Sequence, residues 1–448
     1  MSLLITLAAF ALAIGVLVSI HEYGHYWVAK RCGVKVLTFS IGFGKPLLSW
    51  RRGEVQWQLA AIPLGGYVKM LDEREGPVAA AELDRAFNRQ SPLKRMAIVI
   101  AGPMANFLLA ILVYWAIYLN GVQVLTPRIA SVMPASLAMQ SGFTTGDQIL
   151  RINEVEQSSW SDVQLTLVDQ AAARNQVVVE VQRPDGSVVT RTLDLTQIDK
   201  AAVDGNIAAY LGLSVVTFSV REVIPGGAAA AGGMKVGDQV LSTAGKPTPD
   251  WRSFALAVRA RPDLDTAVEV LRSGKVVKLQ ITPRAVVQDG QRVGQVGAVG
   301  DIDATALDRI RRNMAYGPIA AMGKALKQTW TTSALSLKML WRMVTGHVSY
   351  KQLSGPVAIA GYAGQSAQMG LRAYLEFLCL ISISLGVLNL LPVPVLDGGH
   401  LMYYSAELLR GRPVSERAME LGQRVGVGLL AALMVVALFN DVTRLVGG

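Results

Sequence analysis

His21-Glu22-Tyr23-Gly24-His25 closes a nearly unbroken apolar run that begins at Leu3. A helix carries residues i and i+4 on one face, so His21 and His25 point the same way and can hold one metal ion. Glu22, beside them, stands where a base would take a proton from an attacking water. Ionisable side chains at membrane depth are costly and are usually functional, and three fall here within five residues of one apolar helix. A pair of interfacial histidines at a helix end would give no reason for the embedded Glu22.

The rest of the composition agrees with a membrane setting. Of 448 residues, 51% are apolar and 17% charged, with a mean hydropathy of +0.36. Those values suit an integral membrane protein that also carries a substantial soluble part. The net charge of +10 would fit a nucleic-acid binder, but four long apolar segments would not, so the basic excess reads as membrane topology and no nucleic acid is expected. Cys32 and Cys379 are far apart and form no Cys-x-x-Cys pair, which excludes a disulfide framework and a thiolate zinc site. The N-terminus lacks a positive n-region and a small-residue cleavage site before His21, so it reads as a retained span and not as a signal peptide.

The fold expected is a polytopic α-helical membrane protein with four transmembrane helices, a membrane-associated β-hairpin and two tandem α+β domains. Span 1 covers roughly 3–29. Lys30, Arg31 and Lys35 follow it and nothing basic precedes it, which puts its N-terminus outside and its His21–His25 end toward the cytoplasm. Residues 39–70 interleave β-branched and aromatic residues with Gly and Pro, predicting short strands with a tip at Arg51-Arg52-Gly53. This hairpin either dips toward the membrane, where an edge strand could pair with an extended substrate, or lies on the cytoplasmic surface. Residues 72–91 read as a cytoplasmic loop. Span 2 covers about 96–119 behind Lys94 and Arg95, with Gly102-Pro103-Met104-Ala105-Asn106 in its first half. Asn106 at this depth needs a polar partner, and it either faces the metal site or joins two helices.

Residues 122–300 contain a repeat. Pro134, Gly142, Gly146, Asp147 and Trp160 recur at one offset as Pro225, Gly233, Gly237, Asp238 and Trp251. Each copy continues into a helical stretch and a hairpin, tipped at Pro184-Asp185-Gly186 and at Ser273-Gly274. The pattern resembles the PDZ domain, which binds chain termini by adding a strand to a sheet edge. The period is too long for a solenoid, so two domains are expected, 122–215 and 216–300, acting either as peptide grooves or as a steric device.

In 301–370, apolar positions at helical spacing are interrupted by Lys324, Lys327, Lys338 and Arg342, which predicts amphipathic helices on the membrane surface and no fifth span. His347 receives no role. Span 3 runs from about 374 to 391 and breaks at Asn389-Leu390-Leu391-Pro392-Val393-Pro394-Val395-Leu396-Asp397-Gly398-Gly399-His400. Two prolines and two glycines are expected to unwind the helix there, and irregular backbone at membrane depth lines a cavity. Asp397 is then the natural third metal ligand. Span 4 covers about 425–439, after a short loop carrying Arg410, Arg412, Arg417 and Arg424. The transmembrane segments are thus 1–121, with the hairpin, and 371–448, with the break. Both the histidine pair and Asp397 fall toward the cytoplasmic side.

With these residues in place the chain resembles the site-2 protease family of intramembrane zinc metalloproteases, and the domain pair points to its bacterial sigma-E regulatory branch. The resemblance rests on His21-Glu22-Tyr23-Gly24-His25, on 389–399 with Asp397, on Gly102-Pro103 with Asn106, on Pro63-Leu64-Gly65-Gly66-Tyr67, and on the repeat. It implies zinc held by His21, His25 and Asp397, with Glu22 as general base and acid. Asn389, Pro392, Pro394, Gly65, Gly66 and Asn106 are the residues it implies for substrate binding. It also implies a multi-pass protein of the bacterial inner membrane, with the N-terminus and the PDZ pair in the periplasm. The substrates implied are single-span anti-sigma factors already cut once outside, and remnant signal peptides. The last His of the 389–400 stretch, His400, reads either as support for the site or as a partly exposed loop residue. Two rivals are a catalytically dead scaffold, which has no use for Glu22, and a zinc transporter, which would repeat its membrane halves.

Overall fold

The computed structural model describes residues 2–134, 136–196, 198, 207–216, 218–248, 251–288, 291–302, 307, 310–345 and 355–446. His347 lies outside them. The chain forms two compact units, Met1–Gly121 with Ala315–Gly448, and Val122–Met314.

The first unit opens with helix α1 (Ser2–Arg31), whose last turn carries Lys30 and Arg31, a favourable charge at a helix C-terminus. Two long strands follow, β1 (Val36–Arg52) and β2 (Val55–Met70), paired antiparallel. The expected tip holds, with Arg51 opposite Gln56 and Arg52 opposite Val55. The strands are longer than the short ones the Gly and Pro content suggests. Gly42 and Gly44, at φ of 95° and 87°, bend β1 without ending it. Ser40 consequently stands between Gln58 and Tyr67, and Ile41 between Leu59 and Gly66, so the root of β1 is flanked by β2 on both sides. Tyr26 of α1, Phe39 and Trp57 stack that root onto the helix, with ring centroids 4.5–5.8 Å apart. Leu47, Leu48 and Trp50 near the tip are exposed. Helix α2 (Pro92–Asn120) begins with Pro at its first position, where the missing N–H costs nothing, and contains Pro103.

The second unit repeats itself. Strands Gln148–Ile152, Val155–Glu156, Gln176–Gln182 and Val188–Asp194 form a four-stranded sheet with the 148–152 strand between 155–156 and 176–182. Strands Gln239–Thr243, Lys246–Pro247, Thr266–Arg272 and Lys275–Ile281 form a second sheet of the same order. Helices α3 (Trp160–Ala172) and α4 (Trp251–Arg259) start at the repeated tryptophans. The repeated glycines are explained by φ: 82° and 93° at Gly142 and Gly146, 80° and 87° at Gly233 and Gly237, values an L side chain rarely adopts. The repeated aspartates are both fully buried. Asp147 accepts from the backbone N and Oγ1 of Thr144, each at 2.9 Å, and Asp238 from the backbone N of Lys235 at 2.8 Å and from the Arg272 guanidinium. Each closes the turn leading into a central strand. Asp147→Ala removes the buried carboxylate that closes the turn and leaves the exposed Thr144 N–H to water, at a cost of about 1 kcal/mol. Faster amide exchange in the first copy, with the second unchanged, is the expected reading, and equal protection in both would contradict it.

Back in the first unit, α5 (Pro318–Val344) packs along α2 and α6 (Pro356–Met369) along α1. α7 (Leu371–Asn389) packs on α2, and its Tyr374 hydroxyl donates to Ala9 O of α1 at 2.7 Å. After the break come α8 (Asp397–Arg410) and α9 (Glu416–Val446). Buried Asp441 on α9 accepts from the backbone N–H groups of Gly355, Val357 and Ala358 at 2.9–3.1 Å, so one side chain caps the start of α6 from a distance. Among the described residues four helices are long and apolar enough to cross a membrane: Leu3–Arg31, Pro92–Asn120, Leu371–Asn389 and Arg417–Thr443. The fourth begins earlier than its apolar run. Arg417 and Arg424, expected in a loop, are helical, in a stretch of good helix formers where Glu420 and Arg424 pair at i,i+4.

Candidate active site

α1 and α2 cross at their small residues. A Cβ on Gly24 would lie 2.3 Å from Ala101 O, so the two backbones nearly touch. This brings the i,i+4 pair of α1 onto an i,i+4 pair of α2. The His25 ring lies on Gly102, where a Cβ would come within 2.2 Å of Nε2, and His21 meets Asn106 one turn further on. His25 Nδ1 donates to Ile98 O at 2.8 Å, which leaves Nε2 free as a donor of electrons. Pro103, which cannot donate to a preceding carbonyl, loosens the turn of α2 that faces this ring.

Asp397 is the first residue of α8 and arrives from the far end of the chain. α8 is clamped on α2 by the buried Arg95, whose Nη2 donates to Glu407 Oε1 at 2.6 Å and whose guanidinium lies 4.7 Å from the Tyr404 ring centre. The break itself differs from expectation. Gly398 and Gly399 do not unwind anything: they are the second and third residues of α8. Their missing side chains let α8 start against the break, since Cβ atoms there would lie 2.1 Å from Leu391 O and 2.5 Å from Val393 O. The irregular segment is 390–396, with Val395 at φ 99°, a strained value for a β-branched residue.

The three side chains converge. His21 Nε2 and His25 Nε2 are 3.2 Å apart, and Asp397 Oδ2 is 3.3 and 3.5 Å from them. One ligand-capable atom from each lies within 4.8 Å of the others. Beyond these two imidazole contacts, Asp397 Oδ2 is buried and makes no hydrogen bond among the described residues. A buried anionic oxygen left unpaired beside two imidazole nitrogens is costly unless a cation sits among them. Two neutral imidazoles and a carboxylate are also a donor set that zinc takes in catalytic sites. The residues therefore fit a zinc ion.

Glu22 is buried next to this group, and β2 presses on it: a Cβ on Gly66 would meet Glu22 Cγ at 2.9 Å and Val18 Cγ1 at 2.8 Å. Gly65 is tucked against the Phe43 ring. A cleft of about 320 Å³ runs from Glu22, His25 and Asp397 past Val68 and His400 to the charged Lys69, Asp72, Arg74 and Glu75. Asn389, Pro392 and Pro394 are not among the residues lining it. Pro394 packs instead on α9, its carbonyl against Gly426. His400 is half-buried, its ring 6.3 Å from that of Tyr404. Sequence reasoning found the three convergent residues and Glu22. It missed the Ile98 carbonyl, which any residue would supply, and the Arg95–Glu407 clamp, whose members lie 312 positions apart. The Gly102-x-x-x-Asn106 spacing, matching His21-x-x-x-His25, was the available signal for the partners of both rings.

Fold and site together define a membrane-type metallopeptidase centre. Residues 9–433 match the sequence profile of Peptidase family M50. The chain belongs to that family, the site-2 proteases, and is a zinc metalloendopeptidase. Relatives align end to end. A Neisseria meningitidis protein carrying a provisional zinc metalloprotease name is 43% identical over 99% of this chain and 100% of its own. Protease RseP of Yersinia pestis is 40% identical over 99% and 100%. The regulator of sigma-E protease RseP of Escherichia coli is 38% identical over the same shares.

Proposed function

We propose that this enzyme hydrolyses peptide bonds inside the transmembrane segments of single-span membrane proteins. The observation that carries the reading is the meeting of His21, His25 and Asp397, with Glu22 beside them, where α1 packs on α2, both apolar enough to span a bilayer. His21 and His25 offer Nε2 and Asp397 offers Oδ2 to zinc. Zinc bound there supplies Lewis-acid activation of water and of the scissile carbonyl. Glu22 takes the proton of the attacking water on a carboxylate oxygen and delivers it to the leaving amine nitrogen. Asp397, held by the clamp on α8, balances the charge of the site.

A helical substrate hides its carbonyls in i to i−4 bonds, so it must open before it is cut. The 66–70 stretch of β2 pairs with β1 on one side and runs past Glu22. An extended substrate adding itself to that strand satisfies its own backbone next to the base. Gly65 and Gly66 let β2 approach the base closely, while Asn389, Pro392 and Pro394, outside the cleft itself, are read as contacts for substrate that passes the 390–396 break. The two repeated domains are read as a tandem PDZ pair in the periplasm that filters access. The site lies toward the cytoplasmic side of a bacterial inner membrane. The sigma-E names of the relatives support an anti-sigma factor, already shortened by a first cut, as substrate.

The test is cleavage of such a trimmed single-span protein by the purified chain in bilayers. Cutting within the span, stopped by a zinc-chelating hydroxamate, is expected. Cutting at full rate with the hydroxamate bound at the metal would overturn the reading. No zinc in the purified chain would favour a scaffold.

A further inference from the structure

Asn106 is fully buried on α2, and its side chain touches His21 but not the metal-facing edge of that ring: Asn106 Nδ2 is 3.1 Å from His21 Nδ1. The other end of the same amide, Oδ1, is buried and makes no hydrogen bond among the described residues. The residue is anchored otherwise, because its backbone carbonyl accepts from Ser382 Oγ on α7 at 2.8 Å.

This arrangement fixes a tautomer. An amide nitrogen donating to Nδ1 requires Nδ1 to be the acceptor, and a neutral imidazole then carries its proton on Nε2. That form cannot ligate through Nε2. The neighbouring ring shows the opposite state, since His25 Nδ1 faces the carbonyl of Ile98 and must carry the proton. Metal-ligating histidines nearly always donate their second N–H to an oxygen. Rotating the Asn106 amide by half a turn exchanges its nitrogen and its unpaired oxygen, which are almost the same size, and gives His21 that acceptor.

We propose that Asn106 is a positioning residue for zinc: its side-chain oxygen, facing His21 Nδ1, holds that ring in the ligating tautomer. The inference rests on the reading of His21, His25 and Asp397 as ligands. Asn106 then has no contact with substrate and acts through His21 alone.

Zinc affinity measured by competition with a chromophoric chelator, on the full chain in lipid nanodiscs, separates the possibilities. The Asn106→Leu variant keeps the volume and removes the acceptor, and its affinity is expected to fall by 10- to 100-fold. The Asn106→Asp variant can only accept, and its affinity is expected to match or exceed that of the native chain. If Asn106 served as a donor or as filling, Asp would be as damaging as Leu or worse, and that result overturns the proposal. So does an Asn106→Leu affinity within twofold of native. Should the Leu variant fail to fold, the Asp variant decides alone: native-like affinity supports the proposal and a loss of more than tenfold ends it. Asp397→Ala is the reference for the site. Native affinity in that variant removes the metal reading, and this inference with it, whereas loss of zinc there with an unaffected Asn106→Leu removes the inference only.

Discussion

Glu22→Gln is expected to slow cleavage of a single-span substrate by about 10³-fold, within the range for loss of a positioned general base, while the chain keeps its zinc. The substitution preserves shape, so Val18, Gly66 and the strand packed on Glu22 need not move. It removes the capacity to hold a proton between attack and departure. Glu22 is also not one of the three convergent side chains, so metal content and activity should part company. Zinc per chain measured beside the cleavage rate checks this. Native cleavage in the variant would show that the proton goes elsewhere. Loss of zinc together with activity would make Glu22 a ligand and leave the base unassigned.

Helix periodicity explains why part of this site was legible from sequence. A spacing of four puts His21 and His25 on one face whatever surrounds them. Asp397 was legible because prolines at membrane depth mark a place where a helix stops. The repeat was legible because its glycines need positive φ and its aspartates a turn to close, and both demands leave the residue type in the sequence. What stayed hidden depends on partners. Gly398 and Gly399 look like helix breakers, yet they serve close approach inside a helix, and only the position of Leu391 and Val393 tells the two apart. The start of α9 was placed too late because hydropathy marks what faces lipid and is silent about a helix that continues with Arg and Glu. The Arg95–Glu407 clamp joins two side chains whose residue types are ordinary on any surface, and their burial is a property of the packed bundle alone. The function was carried by the legible part, because chemistry demands particular side chains where packing accepts many.

Gly102→Ala should be nearly as damaging as the loss of Glu22, through the metal and not through the proton. Its Cβ would sit 2.2 Å from His25 Nε2, 2.6 Å from Cε1 and 2.8 Å from Cδ2. Such overlap is harmless when a flexible side chain can swing away. Here the ring is tied on its other edge to Ile98 O, and swinging it would break that bond and carry Nε2 out of the ligand set. Nor is there slack between the helices, because the adjoining Gly24 lies directly against Ala101. The ligand atom itself must therefore move, and zinc affinity is expected to drop by at least the 10- to 100-fold seen for disturbed ligand support, with cleavage falling in step. Fold stability should fall much less than zinc affinity, since the gain of about 1 kcal/mol from Ala in place of Gly in a helix offsets part of the overpacking cost of about 1–3 kcal/mol. Gly15→Ala on α1, where a Cβ meets nothing within 4 Å, is the matched control and should cut at the native rate. A Gly102→Ala enzyme that binds zinc like the native chain would mean that His25 does not ligate from the position it occupies against Gly102 of α2. The assignment of the metal centre would then have to be redrawn around His21 and Asp397.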